Sequence, residues 1–321
     1  MANTILNPLQ IYCKQLIELF KKAQSTKNPS LYLYKINVRT PLFMSESLTR
    51  ILLSLSANPN FEKWYKEFKK LEDRMGEIDY YDAALKQFSK NKLIEKESLA
   101  YLLKKKNKLV DKLNKKLIEK EFYLPLFNQV LLAKELNLND KLIIREIRKH
   151  INHELENISE FFSQFHESFD NMELQVHELR RKLRWISIYA QSLNGIVVLK
   201  SVKGKCDWEK EFITPAERTS PYNNLVVVKN LKDYIYFNNK AFYALSNIIK
   251  RLGEIKDVGL NILLLEKCIR KTHAEKIENV RVKAQEQLKL NTSEHDLLNE
   301  AHKVLLLFLK KYRIHDELIL K

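Results

Sequence analysis

Few residues in this chain can end a helix. Five glycines and seven prolines occur in 321 residues, and these two residue types interrupt helices most strongly. Between them, apolar residues recur at three- and four-residue spacing, the period of a helix with one buried face. The pattern predicts an all-α fold, with helices over about 8–24, 40–56, 60–90, 95–121, 124–136, 139–165, 172–193, 238–267, 270–290 and 296–315. Thr40-Pro41 reads as a capping residue before a proline at the first helical position. Asn291, Thr292 and Ser293 offer alternative caps for the last helix. A hydrophobic fraction of 45% supplies enough apolar surface for a substantial core.

One region departs from the helical pattern. Residues 194–237 hold the β-rich runs GIVVLK, NLVVVK and DYIYF, separated by Gly195, Gly204, Pro215 and Pro221. This reads as an inserted β-hairpin or small sheet. The helices themselves repeat. Met75-Gly76-Glu77-Ile78 and Leu252-Gly253-Glu254-Ile255 sit at matching points within long amphipathic segments, with two helices before and two after each. The chain therefore reads as two similar helical halves, 1–137 and 138–321, with the insertion in the second.

The net charge is +16, from 56 Lys and Arg against 40 Asp and Glu. Such an excess attracts acidic partners: nucleic acid, an anionic membrane surface or inorganic polyphosphate. Three widely spaced cysteines, Cys13, Cys206 and Cys268, without CxxC spacing, fit a reducing cytoplasm. The first residues carry no basic leader followed by an apolar stretch. The apolar run VLLLFL is far too short to span a bilayer, so no membrane span is expected.

The cations are not spread evenly. His177, Arg180, Arg181 and Arg184 recur at i, i+3, i+4 and i+7 within VHELRRKLRWISIYA, which puts them on one stripe of a helix. Val176, Leu179, Leu183 and Ile186 form the neighbouring face, so the helix docks and holds the stripe beside the core. Arginine's planar fork suits phosphate oxygens. Histidine is the side chain whose ordinary charge change falls near neutral pH, so His177 would add a pH-dependent hydrogen bond. Lys104, Lys108, Lys112 and Lys115 line one face of the helix at 95–121 and would supply a second wall. Arg145, Arg148 and Lys149 cluster on another helix, and Arg270, Lys271 and Lys276, with Arg281 and Lys283, on a third.

Catalytic signatures do not accompany these cations. His150 and His153 lack a third ligand at metal-site spacing. The chain holds no GxxxxGK[ST], GxGxxG or GxSxG and no ExExK strand pattern, patterns that would have signalled phosphate transfer, dinucleotide binding or acyl transfer. The expectation is a binding protein that needs no cofactor and performs no chemistry.

The string His177-x-x-Arg180-Arg181-x-x-Arg184, followed by Leu252-Gly253-Glu254-Ile255-Lys256-Asp257-Val258, resembles the conserved histidine α-helical domain (CHAD) family. The resemblance implies two pseudo-symmetric four-helix bundles with a basic central groove that binds inorganic polyphosphate. The first half departs from the family pattern. Its corresponding segment, LYLYKINVRTPLFMSESLTRILLSL, has no histidine, and Lys35, Arg39 and Arg50 are its nearest basic residues. Asp79-Tyr80 stands where the family has a basic residue and an aspartate.

The sequence thus predicts non-enzymatic binding of polyphosphate, or another polyanion, in a cytoplasmic protein associated with polyphosphate granules. Arg270 and Lys271 join the phosphate-binding set of both halves. Nucleic-acid binding through the same surface is the alternative. It would require exposed aromatic rings among the cations, whereas Trp185 projects off the stripe and the other aromatics read as core. The oligomeric state stays open.

Overall fold

A computed structural model of the chain describes residues 7–133, 140–165, 167–228, 231, 233–273 and 279–320. The chain is all-α with a small β insertion. The first helices are α1 (Pro8–Gln24), α2 (Pro29–Lys35), α3 (Arg39–Leu55), α4 (Pro59–Phe88), α5 (Lys96–Glu119) and α6 (Leu124–Leu132). Then come α7 (Lys141–Ser163), a π-helical turn (Met172–His177) and α8 (Glu178–Ser192). Strand β1 (Val197–Lys200), short helices α9 (Glu209–Phe212) and α10 (Pro215–Thr219), a 3-10 turn (Pro221–Asn223) and β2 (Ile235–Asn238) make up the insertion. The chain closes with α11 (Asn239–Thr272), α12 (Val280–Leu288) and α13 (Glu294–Leu305), the last running into a π-helical turn (Leu306–Lys311) and a 3-10 turn (Ile314–Glu317). The expected junction between halves near residue 137, and Lys276, lie outside the described residues.

The helix starts follow side-chain chemistry. Asn7, Asn28, Asn58, Asp140 and Asn238 each accept a hydrogen bond from a backbone N–H of the first turn, the groups that a helix leaves unpaired. Ser293 is the cap of α13, in a reciprocal box with Asp296. Thr40 does not cap α3, contrary to expectation. Asn37 adopts a left-handed conformation and turns the chain early, so α3 begins at Arg39 behind Val38, which makes no side-chain cap bond. Pro41 then falls within the first turn, where its missing N–H costs nothing.

The insertion is not a hairpin. β1 and β2 pair in parallel, Val197 opposite Ile235 through Lys200 opposite Asn238, and parallel strands require a crossover. Residues 201–234 supply it. The run NLVVVK forms no strand among its described residues. Gly195, at φ +100°, leads into β1, and a Cβ there would meet Val228 Cγ2 at 2.5 Å. The C-terminal segment seals the other edge of β2, with Leu320 N–H donating to Tyr236 O at 2.9 Å.

One apolar core runs through both halves of the chain, from Leu9 to Leu318. In the first half it centres on Phe20, Phe68 and Phe127, whose rings pack edge-on and stacked. In the second it centres on residues of α7, α8 and α11 such as Phe162, Leu179 and Leu252. The halves join where α3 crosses α8. At the crossing, fully buried Ser47 and Ser192 share a hydrogen bond of 2.8 Å between their hydroxyls. Small residues allow the backbones to approach and satisfy each other. A smaller apolar cluster joins the far ends of α4 and α11 through Phe88, Leu265 and Ile269. No helix among the described residues is long and apolar enough to cross a membrane.

Because Ser47 and Ser192 pair in a dry crossing, Ser192→Leu both overfills the contact and orphans the Ser47 hydroxyl. It is expected to lower unfolding free energy by about 2–4 kcal/mol. Urea denaturation followed by circular dichroism measures this, and an unchanged midpoint contradicts the crossing.

Candidate functional site

The basic stripe begins where the π-helical turn passes into α8. Asn171 caps that turn by accepting from the N–H groups of Glu173 and Leu174. From there, one face of α8 carries Arg180, Arg184, Ser187 and Gln191 at i, i+4, i+7 and i+11. Leu179, Leu183 and Ile186 anchor the helix in the core.

Arg180 lies against α11. Its Nε–H donates to the Ile249 backbone carbonyl at 3.1 Å. This approach depends on Gly253, where a Cβ would stand 2.9 Å from Arg180 Nε. Burial holds the Arg180 guanidinium below its ordinary range, opposed by Asp257. Arg39 makes the same kind of contact in the first half, lying over Gly76 of α4, where a Cβ would stand 3.1 Å from Nη2. The two glycines are those that the sequence pairs.

The two arginines differ in their partners. Arg39 is fully engaged: Nε and Nη2 donate to Glu72 Oε1 at 2.8 and 2.6 Å, and Nη1 to Asp79 Oδ2 at 2.6 Å. Glu72 and Asp79 lie one turn to either side of Gly76. The corresponding positions about Gly253 are Ile249 and Lys256. Among the described residues no carboxylate closes on Arg180 in that way.

Arg184 is the least compensated of the three. Its guanidinium stacks over the Phe43 ring at 4.4 Å and finds no hydrogen-bond acceptor among the described residues. Burial pushes it down to about 10, with Arg180 and Arg39 adding in the same direction and Glu72 opposing them. Arg184, Arg180 and Arg39 therefore form one guanidinium cluster, and its free donors belong to Arg180 and Arg184.

The other expected residues are placed differently. His177 shares a hydrogen bond of 3.0 Å with Glu173 through Nδ1, and Arg181 pairs with Glu178 at 2.7 Å. Arg50 lies over the Trp185 ring at 4.5 Å, with Glu154 at 3.5 Å. Lys35 is exposed at the end of α2. Arg270 pairs with Glu266 at 2.8 Å near the end of α11. Seventeen residues separate it from Gly253, about 25 Å of helix, and Lys271 is beside it.

Lys104, Lys108 and Lys112 do not wall the arginine cluster. The inner face of α5 presents Leu102, Val110, Leu113 and Leu117, and the helix packs on α4, α11 and α2. The lysines therefore line an open cleft on its outer side together with Lys115. The expected basic groove reduces to a cluster of arginines facing a partly acidic helix, α4.

Two neighbours of the cluster escaped the sequence reading. Phe43 packs against the core, as expected, and also cushions Arg184, with Arg39 5.3 Å from the same ring. Tyr222, in the insertion, is 70% exposed. Its turn is tied to α8 by Gln191 Nε2–H donating to the Tyr222 carbonyl at 3.2 Å. Spacing along the chain gave no sign of either placement. Among the described residues no three His, Cys, Asp or Glu side chains gather as a metal site does.

No family model, no curated protein and no solved structure matches the chain.

Behind the cluster, Glu46 on α3 is only 2% exposed. Burial pushes its carboxyl up to about 7, reinforced by Glu72 and opposed by Lys69 and Arg50. The folded chain therefore holds this proton more tightly than the unfolded chain does. Below about pH 4.5 both forms keep the proton. As pH rises towards 7 the unfolded chain loses it first, so stability falls, by about 3 kcal/mol at most. Glu46→Gln removes that dependence. The variant is expected to be more stable than wild type at pH 8, with the gap closing towards pH 5. Denaturant midpoints across pH read this directly, and parallel curves contradict it.

Proposed function

We propose that this protein binds a condensed phosphate, inorganic polyphosphate or a short relative of it, and does so without chemistry. The observation that carries the proposal is Arg184. It is a half-buried guanidinium beside two others, cushioned by an aromatic ring, with no acceptor among the described residues. A cation held out of water in this way gains more from an incoming anion than an exposed lysine does. Arg180 offers the next set of donors one helical turn away, about 6 Å along the axis. Phosphates of one chain that are separated by a single phosphate fit that interval.

The resemblance of the His177 to Arg184 string and of the Gly253 segment to the CHAD family supports the same reading. It carries with it a cytoplasmic protein beside polyphosphate granules. The site proposed is narrower than the family pattern implies, because Glu72 and Asp79 already occupy Arg39. The second half then carries the binding.

Calorimetric titration with polyphosphate of defined length, at about 150 mM salt, tests the proposal. The double change Arg180→Ala/Arg184→Ala is expected to weaken binding at least tenfold, since a single charge-assisted hydrogen bond contributes about 1.5–3 kcal/mol. A Lys104→Ala/Lys108→Ala/Lys112→Ala variant is expected to stay within about threefold of wild type, as for exposed charges. Equal losses in both variants would assign the binding to diffuse surface charge.

A further inference from the structure

The insertion brings an exposed tyrosine to the far end of the arginine-bearing face of α8. Tyr222 stands on the 3-10 turn Pro221–Asn223 with its ring 70% exposed. The turn beneath it is firmly held. Asn223 is buried, donates from Nδ2 to the Glu217 carbonyl at 2.7 Å and accepts from the Ser246 hydroxyl on α11. Glu217 in turn closes a capping box with Thr214 at the start of α10. Gln191 of α8 donates both to the Tyr222 carbonyl and to Ser187 Oγ. Ser187 and Gln191 continue the face that carries Arg180 and Arg184. The backbone of Tyr222 is thus held at the Gln191 end of the face that carries Arg180 and Arg184, and its side chain is exposed there.

The α4 side of the row bears the other sign, and Glu72 acts on Arg184 itself. Glu72, Asp73 and Asp79 lie along α4, facing Arg39 and Arg181. A long polyanion laid along the row would run beside these carboxylates and, at Arg180, come under the charge of Asp257 as well. The row therefore accommodates a few phosphates, with an aromatic platform at one end. An exposed ring stacks a nucleobase with little regard to its identity, and arginines take phosphate oxygens.

We propose that the site selects a nucleoside polyphosphate, its phosphates on Arg180 and Arg184 and its base stacked on Tyr222. This rests on the phosphate reading above and names the ligand class for the same site. The insertion thereby acquires a role, since its crossover carries Tyr222 to the end of the arginine row.

The test compares ATP with inorganic tripolyphosphate in magnesium-free buffer by calorimetry. Both offer three phosphates, and only ATP offers a base. Wild type is expected to bind ATP about tenfold more tightly, the scale of one stacked base. Tyr222→Ala is expected to bring that ratio close to one, whereas Tyr222→Phe, which retains the ring, keeps it. Circular dichroism of each variant verifies the fold. Equal affinities in wild type, or a preference that survives Tyr222→Ala, would overturn the base site while leaving phosphate binding standing. Failure of both ligands to bind would overturn the phosphate reading and this inference together.

Discussion

A guanidinium can lie flat on a helix only where that helix lacks a side chain, and in this protein two do so. Arg39 rests on Gly76 and Arg180 on Gly253. The contact draws α3 against α4 and α8 against α11, and α3 and α8 then cross at Ser47 and Ser192. The arginines of both halves are thereby brought together instead of spreading over the surface. Partial burial makes each of them sensitive to the charges beside it, because interactions strengthen where water is displaced.

The two halves use this arrangement to different ends. Around Gly76 the flanking positions are Glu72 and Asp79, which close on Arg39 as an ion-paired structural contact. Around Gly253 they are Ile249 and Lys256, and Arg180 receives one neutral backbone carbonyl. Two residue differences thus decide which guanidinium is occupied and which remains open. The overall charge of +16 says little about this. Many cations meet a neighbouring carboxylate, as Arg181 meets Glu178 and Arg281 meets Glu294. Others, such as Lys104 and Lys108, stand on the outer face of α5. The total favours acidic partners only in general, whereas the proposed site rests on Arg180 and Arg184.

Most of the helical architecture was legible in the sequence, because scarce helix breakers and a steady apolar period act locally. The start of α1 at Pro8 and the cap at Ser293 are of this kind. The start of α3 was not, because the left-handed turn at Asn37 that moves it from Thr40 to Arg39 leaves no spacing signal. The β runs were visible but their pairing was not, since parallel and antiparallel strands share one alternation. In the site, the stripe from Arg180 to Arg184 was readable as one helix face. The substitution of Asp79 for a basic residue was readable too, although not that Asp79 would bind Arg39. The placing of the α5 lysines and the tie between Tyr222 and Gln191 depend on helix packing and on a crossover, both of which lie beyond any single segment.

The central claim is that Arg180 and Arg184 are open to an anion while Arg39 is already taken. Side-chain NMR of the arginine Nε–H groups during titration with inorganic tripolyphosphate tests it most directly. The account predicts that the Arg180 and Arg184 resonances move together and saturate, with the Arg39 resonance moving little. Uniform small shifts across all arginines, or a response confined to exposed residues such as Arg270, would contradict it.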